Sequence, residues 1–207
     1  MKILDLHSHS LRENAIISAS TDENLLEGYY YSVGIHPWYI TDDIDIDLDR
    51  LLEKCLDDKV KAIGECGLDF HRKDISPNKQ KEIFIRQIEI SEQLEKPMII
   101  HCVKTHEQLL SIHKKYQPKQ EWIIHGFRQK PTIAKQFIDA GINISLGEKF
   151  NSETALIIPS ERLFIETDDR EDVDINMVIQ SLAMVINKDV EKLKKEIEDN
   201  LSRLFKL

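Results

Sequence analysis

The chain has 207 residues, 41% hydrophobic and 31% charged, the proportions of an ordinary globular protein long enough to bury a substantial core. No apolar run approaches the roughly 20 residues of a membrane span, and the first residues lack a signal peptide's apolar stretch and cleavage site, so we expect a cytoplasmic protein with no membrane partner. A formal net charge of −9 excludes a broadly basic nucleic-acid coat but permits a local cation site for an anionic substrate.

Residues 2–6 form a short apolar strand leading into His7-Ser8-His9, and residues 15–19 form a second. Residues 29–35 form a third, closing in Gly34-Ile35-His36-Pro37. Leu48, Leu51, Leu52, Cys55 and Leu56 recur at helical spacing, which predicts an amphipathic helix over residues 47–58. A fourth strand over 60–65 ends in Glu65, set between Gly64 and Gly67.

Ser76-Pro77 has the chemistry of an N-cap followed by a first-turn proline, opening a long helix to about residue 94. A fifth strand over 97–102 carries His101, and a helix over 106–116 follows it. The sixth strand, 122–125, ends in His125; Pro131 starts a helix that Gly141 terminates. Strands over 142–146 and 163–167 complete eight, the last followed by Asp168. Two tail helices close the chain, the second with an apolar stripe of Val190, Leu193, Ile197, Leu201 and Leu204. Cys55, Cys66 and Cys102 show no Cys-x-x-Cys spacing and read as reduced packing residues.

Near-continuous apolar strands separated largely by helices predict an α/β fold with a parallel sheet in a single domain, 1–207. A distorted (β/α)8 TIM-type barrel is the natural closure, with early crossover helices missing: the gap after His9 has no room for one. A doubly wound open sheet is the alternative.

Catalytic residues of such barrels come from the ends of several strands. Here His7, His9, Glu65, His101, His125 and Asp168 all sit at strand ends. Each alone is unremarkable, because a strand histidine is commonly a hydrogen-bonded core or surface residue. Jointly they suit one or two divalent cations such as Zn or Mn, with Mg less matched to imidazole. His36 is placed to orient a substrate or support a ligand. Predicted loops add Arg72, Lys73, Lys104, Arg128, Lys130, Lys149 and Arg170, a focused set for an anion. Trp38, Tyr39 and Phe70 are candidates to stack a base or to pack.

At these residues the sequence resembles the TatD family of metal-dependent hydrolases and deoxyribonucleases, within the wider amidohydrolase superfamily. The matching segments are Asp5-Leu6-His7-Ser8-His9, Gly34-Ile35-His36-Pro37, the run Ile63 to Phe70, Ile100-His101, His125-Gly126-Phe127 and Glu166-Thr167-Asp168. Gln80, Phe84 and Gln87 fit the helix after the glutamate motif, and Asn200, Arg203, Leu204 and Phe205 the closing helix. The resemblance implies a two-metal centre: His7, His9 and Asp168 on one ion, His101 and His125 on the other, Glu65 bridging. It implies Glu65 and Asp168 as catalytic groups and phosphodiester hydrolysis at DNA ends; the residues themselves offer His36, Arg72 and Arg128 as substrate contacts, and we expect no obligate protein partner. The chain is shorter than the family pattern between the first and third strands. Arg128-Gln129 replace an expected serine-glycine, and Asp169-Arg170 stand where a proline is expected. These departures keep two alternatives open: hydrolysis of a small ester, amide or phosphoester, and a non-catalytic metal-binding role.

Overall fold

A computed structural model describes residues 2–206, which form eight strands and seven α-helices. The chain divides into two compact units, one comprising the chain up to Ile17 together with Ile123 onward, the other Ser18–Trp122.

The first unit holds β1 (Asp5–Ser8), the start of β2 (Ala15–Ala19), β6 (Trp122–Ile124) from its second residue, β7 (Asn143–Leu146) and β8 (Leu163–Ile165). Every pairing within it is parallel: β1 with β2, β6 with β7, and β7 with β8. A further parallel bridge joins Ser8 to Asp168, so the first strand pairs with the chain leaving the last.

Among the described residues no helix separates β1, β2 and β3. A four-residue strand is about 13 Å long, and the six residues 9–14 reach up to about 20 Å. A plain loop can therefore return the chain to a parallel start. It is pinned where the N–H groups of Leu4 and Asp5 both donate to the Asn14 carbonyl. Helices α4 (Pro131–Asp139), α5 (Ser152–Ala155), α6 (Ile175–Val185) and α7 (Val190–Phe205) complete this unit. Leu193, Ile197, Leu201 and Leu204 are buried along one stripe of α7, each worth about 1.5–3 kcal/mol in removal from water. On the same face Asn200 donates to the carbonyls of Ser160 and Leu163, tying α7 to the start of β8.

The second unit holds β3 (Tyr30–Val33), α1 (Ile44–Lys54), β4 (Val60–Asp69), α2 (Pro77–Leu94), β5 (Met98–Val103) and α3 (His106–Tyr116). Its strands pair in parallel, β3 with β4 and β4 with β5. Ile63, Leu68, Phe84, Met98, Ile99 and Trp122 form its fully buried core. Ser76 caps α2 as expected, its side chain accepting from the Lys79 N–H with Pro77 in the first turn.

Several boundaries differ from the sequence reading, most by a residue or two at a strand end. Helix α1 runs Ile44–Lys54 rather than 47–58, because Ile44 is buried and extends the apolar stripe inside an acidic run. Strand β1 is shifted so that His7 lies within it. Strand β4 does not stop at Glu65 but continues to Asp69. The glycines around Glu65 look like turn signals but serve close packing. A Cβ on Gly64 would lie 2.5 Å from the Ile99 carbonyl oxygen, and one on Gly67 2.2 Å from that of His101. Only glycine lets β4 pass β5 that closely while adopting the positive φ of both positions. The Gly64–Glu65 peptide bond is cis.

Candidate functional site

In the first unit the site is assembled on the β1–β8 bridge. The Asp168 N–H donates to the His7 carbonyl and the His9 N–H donates to the Asp168 carbonyl, locking the three residues in register. As a result the Asp168 Oδ1 lies 3.7 Å from the Nε2 atoms of both His7 and His9. Asp168 holds φ +56, a left-handed conformation uncommon outside glycine and of the kind that collects at functional positions. Beneath it, buried Asp5 accepts from the Thr167 hydroxyl at 2.7 Å and from the N–H groups of Thr167 and His7. Burial pushes the Asp5 carboxyl up to about 7, with the Thr167 bonds opposing the rise.

His125, at the end of β6, brings its ring to 4.4 Å from that of His7. Its Nδ1 faces the Glu166 carboxylate at 3.4 Å, and the same Glu166 oxygen accepts from the Gly126 N–H at 2.5 Å. Burial pushes the Glu166 carboxyl up, but the His125 bond and charge, with His7 nearby, outweigh it and leave the carboxyl below its ordinary range. On giving up its Nε2 proton to a metal, His125 would keep Nδ1–H towards Glu166 and present its Nε2 lone pair, the usual way a carboxylate prepares a metal-binding imidazole. His7, His125 and Asp168 each offer a ligand atom within 4.8 Å of the others. Ligands about 2.0–2.2 Å from one ion stand up to roughly 4.4 Å apart. A small side-chain rotation brings this set into range, so the residues fit a cation.

In the second unit Glu65 is the centre. Its Oε1 lies 3.1 Å from His36 Nε2 and 2.7 Å from His101 Nδ1, and these three side chains make a second group within 4.8 Å. The Trp38 N–H donates to His36 Nδ1 at 3.2 Å. The imidazole proton of neutral His36 therefore sits on Nε2 and is donated to Glu65, which makes His36 a residue that aims the glutamate. On the other side of His101, its Nε2 lies 3.3 Å from Asp69 Oδ2. That oxygen also accepts from the Trp38 indole at 2.7 Å. Burial pushes the Asp69 carboxyl up, but bonds from Trp38, His71 and His101 outweigh it and hold the carboxyl low.

Two buried glutamines of α2 fix this arrangement from below. Gln80 bonds to both backbone groups of Asp69, and Gln87 to both backbone groups of Ile35, next to His36.

The sequence reading thus finds His7, His9, His125 and Asp168 gathered in one unit, and His36, Glu65 and His101 in the other. The cations fare unevenly. Arg128 is exposed directly after Phe127. Arg72 is held by Asp74 through two bonds, and Arg170 by Asp172 and Glu148. Lys104 approaches His71 Nδ1 at 3.3 Å from a left-handed backbone position. Two positioning carboxylates escaped the sequence reading as such, Glu166 and Asp69. Each lies at even spacing along extended chain from a proposed ligand, Glu166 two residues before Asp168 and Asp69 four after Glu65, so period-two alternation was the available signal.

A family model described as TatD related DNase matches residues 6–206. A protein of Pantoea ananatis named 3'-5' ssDNA/RNA exonuclease TatD is 28% identical over 204 residues, covering 85% of this chain and 77% of the relative. A metal-dependent hydrolase of Escherichia coli K12 is 29% identical over 196 residues, covering 84% of this chain and 73% of its own length. Among solved structures, a TatD homologue of Escherichia coli K12 superposes with a TM-score of 0.81 at 21% identity, covering 93% of this chain and 86% of that one. That likeness shows the fold, and with the strand pairings places the chain in the TIM-type α/β barrel class.

Proposed function

The chain belongs to the TatD related DNase family, a family of metal-dependent hydrolases, and on that premise we propose that it is a two-metal nuclease removing nucleotides from the ends of single-stranded DNA. A 3'-to-5' polarity follows the name of the exonuclease relative, and a reducing cytoplasm suits its three dispersed cysteines. All of 1–207 works as one catalytic domain. The observation that carries the reading is that each unit, by itself, gathers imidazoles around one carboxylate: His7, His9 and His125 near Asp168, and His36 and His101 at Glu65.

On the family pattern His7, His9 and Asp168 would hold one divalent ion, and His101, His125 and Glu65 would be the remaining metal ligands. Imidazole-rich ligation favours Zn or Mn over Mg. Such ions lower the pKa of a bound water and neutralise charge on phosphoryl oxygens. Glu65 is held on line by the His36 proton, and the His125 tautomer by Glu166. Asp168 orients the attacking water and accepts its proton at Oδ1 or Oδ2. Arg128 and Arg72 meet the substrate phosphates, and His36 positions Glu65 for them.

A second reading is hydrolysis of a small ester, amide or phosphoester at the same residues. It is favoured by Arg170, whose three guanidinium nitrogens all donate to Asp172 or Glu148, where Arg72 gives two to Asp74.

Cleavage of end-labelled single-stranded DNA by metal-stripped protein, with Mg, Mn or Zn returned, tests the proposal. Progressive shortening from the 3' end that needs the metal supports it. Intact DNA alongside turnover of a small phosphoester moves the assignment to the second reading.

A further inference from the structure

Trp38 is 38% exposed, whereas the other tryptophan, Trp122, is 1% exposed. That exposure puts aromatic surface within reach of a ligand. Trp38 is also not a loose surface side chain. Its indole N–H donates to Asp69 Oδ2 at 2.7 Å, and Asp69 is itself fixed by Gln80 and by the His71 N–H. The ring meets His36 at 4.9 Å and His101 at 5.8 Å, edge to face in both cases. The polar edge of the indole is therefore satisfied inside the site, while apolar ring surface remains accessible beside the Glu65–His101 group.

Two neighbours extend the surface. The Arg72 guanidinium lies over one face of the Trp38 ring, 5.3 Å from its centre, held there by its two bonds to Asp74. Tyr39, 72% exposed, sits 5.5 Å from the His36 ring. A fixed aromatic plane, a second aromatic and a cation beside the proposed catalytic groups match a nucleotide, whose base stacks and whose phosphate pairs with a guanidinium. A small aliphatic ester would use none of these.

We propose that Trp38 is the base-stacking, specificity-determining residue of this site, receiving the terminal nucleobase with Tyr39 beside it and Arg72 on the adjoining phosphate. The inference rests on the nucleic-acid reading above and names the part of the substrate recognised. Asp69 is a positioning residue in it, acting on substrate only through the indole it holds.

Tryptophan fluorescence tests it apart from catalysis. Deoxyadenosine monophosphate added to the metal-loaded protein quenches emission saturably, while 2-deoxyribose 5-phosphate, which has no base, does not. Trp38→Phe abolishes the quenching, since Trp122 is shielded. Equal quenching by both compounds, no quenching by either, or quenching that survives Trp38→Phe overturns the proposal. In cleavage assays, removing the terminal base raises KM for the native protein about ten-fold, the scale of one base–aromatic stack. Trp38→Ala raises KM for intact ends similarly and no longer distinguishes abasic ends. DNA cleavage without nucleotide-dependent quenching counts against the subsite alone; quenching without DNA cleavage counts against the nuclease reading and supports the subsite.

Discussion

Gln80 brackets Asp69: its Oε1 accepts the Asp69 N–H at 2.8 Å and its Nε2 donates to the Asp69 carbonyl at 3.0 Å. Two helical turns later, Gln87 grips Ile35 in the same way at 2.8 and 3.0 Å. The two amides hold the chain at Ile35, next to His36, and at Asp69, which bonds Trp38 and His101. Gln80→Leu leaves buried backbone groups unsatisfied and should cost about 1–3 kcal/mol for each, read as a lowered urea midpoint with unchanged slope. An unshifted midpoint would show that the bracket carries no stability.

Gly67→Ala asks whether the close passage of β4 and β5 is obligatory. The added methyl carbon would sit 2.2 Å from the His101 carbonyl oxygen at a backbone φ of +138. Strain of about 1–3 kcal/mol or more is expected, with metal binding weakened because His101 must move. Wild-type stability and metal affinity in this variant would contradict that packing.

Glu166→Gln removes the charge facing His125 while keeping the side-chain shape. Metal affinity should fall roughly 10–100-fold, measured by calorimetric Zn titration, with the fold retained by circular dichroism. Unchanged affinity would mean that Glu166 does not prepare His125.

His113, half-buried on α3 against the Trp122 ring at 4.9 Å, gives a pH signature away from the metal ligands. Burial lowers its imidazole below the ordinary 6.5. The unfolded chain therefore takes up a proton that the folded chain refuses. Its contribution is complete above about pH 6.5 and is lost as pH falls towards the lower folded value. His113→Leu should flatten the fall in stability between about pH 7 and about pH 5. An identical acid limb in the variant would assign that limb elsewhere.

Burial also pushes the Cys55 thiol up to about 12, with Lys96 and Lys54 only partly opposing. At about pH 8 the reactive thiolate is then scarce. Cys55 should resist thiol reagents in the folded protein and react once guanidinium unfolds it, as peptide mapping can show. Rapid labelling in the native state would contradict its burial.

What the sequence made legible was mostly local. The α2 cap at Ser76-Pro77, the span of α3 and the glycine at the end of α4 depend on residues within a turn of one another. The histidines and carboxylates were legible because each closes an apolar run. Glu65 was misplaced at a strand end because Gly64 and Gly67 have the composition of a turn, and only the approach of β5 explains them. Helix α5, four residues long, is too short to show a period. The supporting contacts were out of reach: Gln87 meets a residue 52 positions away and Glu166 meets Gly126 across 40. No periodicity in one sequence encodes such pairs.

The most direct test of the central claim is stepwise return of Mn to metal-stripped protein, following bound metal and nucleotide release together, with Glu65→Ala alongside. The account predicts two bound equivalents, nuclease activity that grows with the second, and a folded but inactive variant. Full activity in metal-free protein, or in Glu65→Ala, would contradict it.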